Sequence, residues 1–162
     1  MATRTTARSK ARKRALDVLY AAELRGEPPL VTLEAFVTDG NAPTNPYSET
    51  LVRGVVEQRD RIDELLTRHS RGWTLARMPA VDRNVLRLAV YELLAVDDVP
   101  SPVALSEAVA LVRDLSTDES PPFVNGVLAS VADELEAVGD TGTDATPGPD
   151  LPDVDEDGPS ED

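Results

Sequence analysis

Residues 81–96, VDRNVLRLAVYELLAV, constrain this chain more than any other stretch. At about 100° per residue, Val85, Leu86, Leu88, Ala89, Val90 and Leu93 cover more than half of a helix circumference, far wider than the apolar stripe of a surface helix. Such a helix belongs at the centre of a fold. Arg83, Arg87 and Tyr91 recur at i, i+4 steps with Asn84 beside them, so one narrow polar strip is expected to reach solvent or a ligand. Asp82 stands where the helix dipole favours an anion. Glu92, set among apolar neighbours, should require a buried partner.

The chain has 162 residues and 41% hydrophobic content, enough for one domain with a real core and a tail. No apolar run approaches the roughly 20 residues that span a bilayer, and the first residues, MATRTTARSKARKR, carry no signal core, so a cytoplasmic protein away from membranes is expected. The absence of cysteine removes disulfides, thiolate nucleophiles and Cys-ligated zinc together. The formal charge of −14 conceals a strong asymmetry. Residues 133–162 hold 12 of the 30 acids and neither Lys nor Arg, which leaves 18 acids against 16 bases in residues 1–132, a net of −2. Arg4, Arg8, Lys10, Arg12, Lys13 and Arg14 stand within the first 14 residues, with no acid among them. A cationic arm and an anionic tail therefore flank a nearly neutral body.

The arm leads directly into a helical pattern that Gly26 and Pro28 end, with Ala15, Leu16, Val18, Leu19 and Ala22 facing inward. Tyr20 and Leu24 fall at the edge of that face and beyond it. Residues 30–37 read as a short second helix, and DGNAPTNP reads as a loop. A third helix begins at Pro46, capped by Asn45, and its near-heptad Leu51, Val55, Ile62, Leu65, Leu66 and His69 carry it to about Gly72. After the central helix, VDDVPSP breaks the chain. Ser101 and Pro102 start a helix through Val103, Val109, Val112 and Leu115, and a last helix places Val124, Val127, Leu128, Val131 and Leu135 in the core. No segment shows period-two alternation between hairpin turns. The expectation is an all-α, compact helical bundle of about six or seven helices over residues 1–138, with residues 1–10 a flexible basic arm and residues 139–162 a disordered acidic tail.

Catalytic candidates are few. His69 is the only histidine, no glycine-rich phosphate loop is present, and Arg59 and Arg61 can neutralise the Asp60, Asp63 and Glu64 group, so neither an enzyme nor a metal or other cofactor is expected. The basic arm is the stronger lead, because cations along a phosphate backbone, with bases stacked on aromatics, hold single-stranded nucleic acid. Against it stands a merely solvated terminus. Arg83 and Arg87 extend the same surface or pair with helix acids. Tyr20 and Leu24 suit a partner protein or lie under a neighbouring helix. Phe123 follows Ser120, Pro121 and Pro122 at a helix start whose free N–H groups can meet phosphate, or it is a core ring.

Three fragments in order, RALDVLYAAEL, VDRNVLRLAVYEL, and VALSEAV followed by FVNGVL, resemble the bacterial transcription antitermination factor family NusB, with matching spacing through about residue 137. The resemblance implies an all-helical scaffold in two helical subdomains. It implies binding to boxA-type leader RNA of ribosomal RNA operons together with NusE, a small-subunit ribosomal protein, within a transcription elongation complex. The family's arginine-rich first helix maps RNA contact onto Arg8, Lys10 and Arg12, with Arg4, Lys13 and Arg14 as neighbours. Tyr20, Leu24 and Asp82 match positions that face the protein partner, and Glu119 and Phe123 match the RNA-facing end. By the same resemblance, Asp82 should matter more to binding than to stability.

Two features depart from the family pattern. Pro121 and Pro122 stand where relatives often carry basic residues, which weakens phosphate contact there, and the acidic tail is additional. Some relatives form homodimers, and the sequence leaves that state open. A second reading makes the arm a ligand for acidic protein partners and gives RNA no role.

Overall fold

The central apolar helix, α5 (Ala80–Ala95), is the element against which almost everything else packs. In the computed structural model, which describes residues 6–43 and 45–141, it is preceded by α1 (Ala7–Arg25), α2 (Pro29–Thr38), α3 (Pro46–Glu57), α4 (Arg59–His69) and a 3₁₀ turn (Leu75–Arg77). It is followed by α6 (Ser101–Leu115) and α7 (Ser120–Thr141). The described residues hold no strand. The all-α, seven-helix fold agrees with the expectation. Helices α1–α3 pack on one another, α4–α7 form a second group, and α5 touches α1 and α3 as well as its own group.

The breadth of the apolar face explains this placement. Val85, Leu86, Leu88, Ala89 and Val90 are all buried and join Leu16, Leu51, Val55, Ile62, Val112 and Leu128 in one continuous core. The polar strip of α5 does not reach solvent as expected. Arg87 is buried against Asp63 of α4, with Nε to Oδ1 at 2.9 Å, and the amide of Asn84 donates to Glu23 and to the Ala80 carbonyl. Tyr91 lies over α3 at Gly54, where any β-carbon would overlap its ring, so the two helices approach more closely than a side chain would permit.

Local signals account for most boundaries. Thr6 caps α1 by accepting from the Ser9 N–H, and Gly26 ends it at φ 63°, the left-handed conformation that glycine adopts without strain. Helical residues thus begin at Ala7, inside the segment expected to be a flexible arm of residues 1–10. Asn45 accepts from the Tyr47 N–H with Pro46 at the first helical position, as expected. The single helix expected from Pro46 to Gly72 is instead two, divided at Gln58 (φ −106°, ψ 18°). Because the break spans one residue, the heptad pattern passes through it unchanged. The bend lets α3 pack on α1 and α2 and α4 on α7, while both reach α5.

In α6 the inward face is Ala104, Ala108 and Val112, while Val103 and Leu115, expected inside, are exposed. Small residues at i, i+4, i+8 allow α6 close to its neighbours, and a reading weighted to large apolar residues misses them. Among the described residues no helix is long and apolar enough to cross a membrane. Arg4 and the segment beyond Thr141, which includes most of the expected acidic tail, lie outside the described residues.

Candidate nucleic-acid and partner interface

Helix α1 begins with an electrostatic conflict. Its N-terminal turns carry Arg8, Lys10, Arg12, Lys13 and Arg14 and no acid, although the dipole makes this end positive. Helix formation by itself does not favour that arrangement, and sites that violate a local rule are where function is expected.

Helical geometry sorts these cations onto two sides. Arg8 and Arg12, at i, i+4, turn toward the body. Arg12 is only 4% exposed, and its Nε donates to both carboxylate oxygens of Glu92 at 2.9 and 3.1 Å, while Nη2 adds a third bond at 2.9 Å. The Tyr47 hydroxyl donates to the same carboxylate at 2.5 Å. Glu92 thus has the buried partner that its apolar setting required. Burial works against the charge of Arg12, but the bond to Glu92 and its charge outweigh that and raise the guanidinium pKa. Burial first, then the bond to Glu92, pushes the Tyr47 phenol well above its usual range. Arg12, expected to contact RNA, is instead a fastener joining α1 to α5 and α3. Arg8 stacks over the Tyr47 ring at 4.5 Å and reaches Asp98 at 3.0 Å, keeping part of its surface open.

Lys10, Lys13 and Arg14 occupy the other side at i, i+3, i+4. Lys10 is exposed and has no ion pair among the described residues. Lys13 and Arg14 share Asp17 at 2.7 and 3.5 Å, and Arg14 also donates to the Asn41 carbonyl at 2.7 Å. Exposed pairs of this kind contribute about 0–1 kcal/mol, so a phosphate can replace Asp17 at small cost.

At the other end of α1, Tyr20 and Leu24 stand 37% and 68% exposed, and no neighbouring helix covers them. Glu23 between them accepts from Arg83 and from the Asn84 amide at 2.9 Å, which pins this end of α1 to the start of α5. With Arg12 on Glu92 and Glu23 on Arg83 and Asn84, α1 runs antiparallel to α5.

Asp82 does not face outward. It is 3% exposed, and its oxygens accept from the hydroxyls of Ser116 at 2.6 Å and Ser120 at 2.8 Å, clamping the α6–α7 turn to α5. The clamp sets Glu119 and Phe123 at the N-terminal end of α5, whereas the cations lie toward its C-terminal end. Ten residues from Asp82 to Glu92 separate the two groups by about 15 Å. Glu119 is exposed, and Phe123 is half-buried with its ring 6.2 Å from that of Trp73. The expected free N–H groups at the start of α7 are absent: Ser120 N–H donates to Thr117, Phe123 N–H to Glu119, and Pro121 and Pro122 have none.

Two aromatic residues escaped the sequence reading. Tyr47 is invisible there because its role depends on Arg8 and Glu92 from distant segments. Trp73, the only tryptophan, did leave a signal, standing in a break just after Gly72. His69, expected to be packed, is half-buried, with ring nitrogens on Ser130 at 2.7 Å and Glu134 at 3.3 Å. No group of three or more His, Cys, Asp or Glu side chains able to hold a metal occurs among the described residues.

Comparison with known proteins agrees with this architecture. The NusB family model matches residues 9–133. The transcription antitermination protein NusB of Nocardioides sp. is 66% identical over 126 residues, covering 78% of this chain and 93% of that protein. The NusB of Saccharopolyspora erythraea is 58% identical, covering 88% and 97%. Among solved structures, T. maritima NusB superimposes with a TM-score of 0.72 at 35% identity, covering 83% of this chain and 94% of that one. A structure of antitermination factors NusB and NusE in complex with double-stranded RNA gives 0.70 at 30% identity, covering 79% and 97%. With a family match over most of its length and relatives this similar, the chain belongs to the NusB family.

Proposed function

We propose that the protein is a cytoplasmic transcription antitermination factor that binds boxA-type leader RNA of ribosomal RNA operons together with NusE, and that it does so as a binding scaffold without a cofactor. The observation that carries this reading is the cationic stripe of Lys10, Lys13 and Arg14 on the positive end of α1, where Lys10 is exposed without an ion pair among the described residues and Lys13 and Arg14 share the single Asp17, so an external anion relieves the remaining repulsion. Arg8 contributes from the edge of the stripe, and Arg4 precedes it in the chain. Arg12 acts by holding the helix in place. Tyr20 and Leu24, about 15 Å further along the same helix, form the protein-facing surface. Asp82 supports that region from inside, and Glu119 and Phe123 meet RNA at the far end of α5.

The test is binding of boxA-type RNA by the full chain, with and without NusE. Each occupied phosphate contributes about −0.7 to the slope of log K against log salt on single strands, so the triple variant K10A/K13A/R14A should lower affinity and flatten the slope by about 2. Y20A/L24A should weaken NusE binding and leave RNA binding by the isolated protein intact. An unchanged slope in the first variant would remove the stripe from the RNA site. Binding of acidic proteins but not RNA would favour the interaction-module reading.

A further inference from the structure

Beside Phe123 lies a groove of about 400 Å³ whose wall is the exposed ring of Trp73. Trp73 is 55% exposed, a poor use of a large aromatic unless something covers it. Its backbone is also held firmly. The Trp73 backbone N–H donates to the Ser70 carbonyl at 3.0 Å, the buried Ser70 hydroxyl donates to the Trp73 backbone carbonyl at 2.9 Å, and Gly72 at φ 80° makes the turn. The Trp73 and Phe123 rings are inclined at 58°, so they form two walls of a slot and do not fill it. The floor is open because α7 carries Gly126 one turn after Phe123, where a β-carbon would meet nothing within 4 Å. Arg71, at the rim, is exposed and makes no ion pair among the described residues. Glu134, which bonds to His69 of the groove lining, is already paired with Arg68.

We propose that this groove seats one unpaired RNA base, stacked on Trp73, with Arg71 on the adjoining phosphate. The proposal rests on the RNA-binding reading above and adds a second point of attachment, at the far end of α5 from the cationic stripe. A flat aromatic wall, a slot closed at one side by a second ring and a free guanidinium are the elements that hold single strands without base-specific hydrogen bonds. A helical peptide would need a longer apolar groove, and here the lining turns polar at His69 and Ser130.

Because Trp73 is the only tryptophan, its fluorescence reports on the groove alone. A boxA-type oligoribonucleotide is titrated into the full chain while Trp73 emission is followed, and the affinity is measured in parallel by anisotropy of the labelled RNA. The emission should be quenched over the concentration range in which the anisotropy rises. W73A should lose affinity about 5- to 100-fold, and W73F should keep most of it. G126L, which puts a side chain into the slot while keeping the Trp73 fluorophore and favours the helix, should lower affinity and abolish quenching. RNA binding that leaves the emission unchanged, with W73A and G126L both binding like the parent, would overturn the proposal and leave the RNA-binding reading standing. No anisotropy change at all would overturn both, and emission that answers NusE but not RNA would make the groove a protein surface.

Discussion

Arg12 and Lys10 stand two positions apart and therefore on nearly opposite sides of α1, which is enough to give them different work. The Arg12 charge is desolvated and survives only because Glu92 and Tyr47 satisfy one another around it. Replacement by alanine leaves a buried carboxylate without its counter-charge, so R12A should lose about 3–5 kcal/mol in urea unfolding. Such a loss would also depress RNA binding, for the wrong reason. The triple variant R12M/E92M/Y47F removes the whole polar cluster and replaces it with apolar groups of similar size. It should recover most of that stability and keep RNA affinity within a few-fold. Recovered stability with lost affinity would return Arg12 to the RNA surface. This distinction could not be read from the sequence, where six basic residues in a row of 14 look alike. Glu92 was legible as a residue in need of a partner, because an acid in an apolar run has few alternatives, but its partner lay 80 positions away.

At the scale of elements, the legible part was whatever depends on neighbours within a turn or two. The Asn45–Pro46 start, the Gly26 stop and the inward face of α1 follow from caps and periodicity alone. The division at Gln58, the alanine face of α6 and the fate of the α5 polar strip depend on which helix arrives alongside, which periodicity does not encode. Asp82 illustrates the difference. In sequence it is an acid at a helix start, and family resemblance points it at a partner. In the fold it joins three helices through two serine hydroxyls. Hydrogen bonds to a charged acceptor contribute about 1.5–3 kcal/mol each, so D82A should lower the unfolding free energy measured in urea by an amount of that order. NusE affinity of the folded protein should change little, since the side chain is enclosed. Unchanged stability with lost NusE binding would mean that the carboxylate turns outward to the partner.

The molecule as a whole is strongly acidic, yet the proposed ligand is a polyanion, and the distribution of charge resolves the conflict. Among the described residues the buried apolar side chains lie between Ala11 and Ala132, all before Thr141. The segment beyond Thr141 holds 8 of the 30 acids and no base, and without it the net charge falls in magnitude from −14 to −6. Charges interacting across solvent are screened over about 10 Å at 0.1 M salt and about 3 Å at 1 M. A chain ending at Thr141 should therefore melt at the same temperature as the full chain. It should bind unrelated single-stranded RNA a few-fold more tightly at low salt, with the gain shrinking as salt is added. Because the cationic stripe is untouched, the preference for boxA-type RNA over unrelated RNA should narrow in the shortened chain. Equal affinities at low salt would show that the acidic segment leaves RNA selection alone and that the stripe and its neighbours set it unaided.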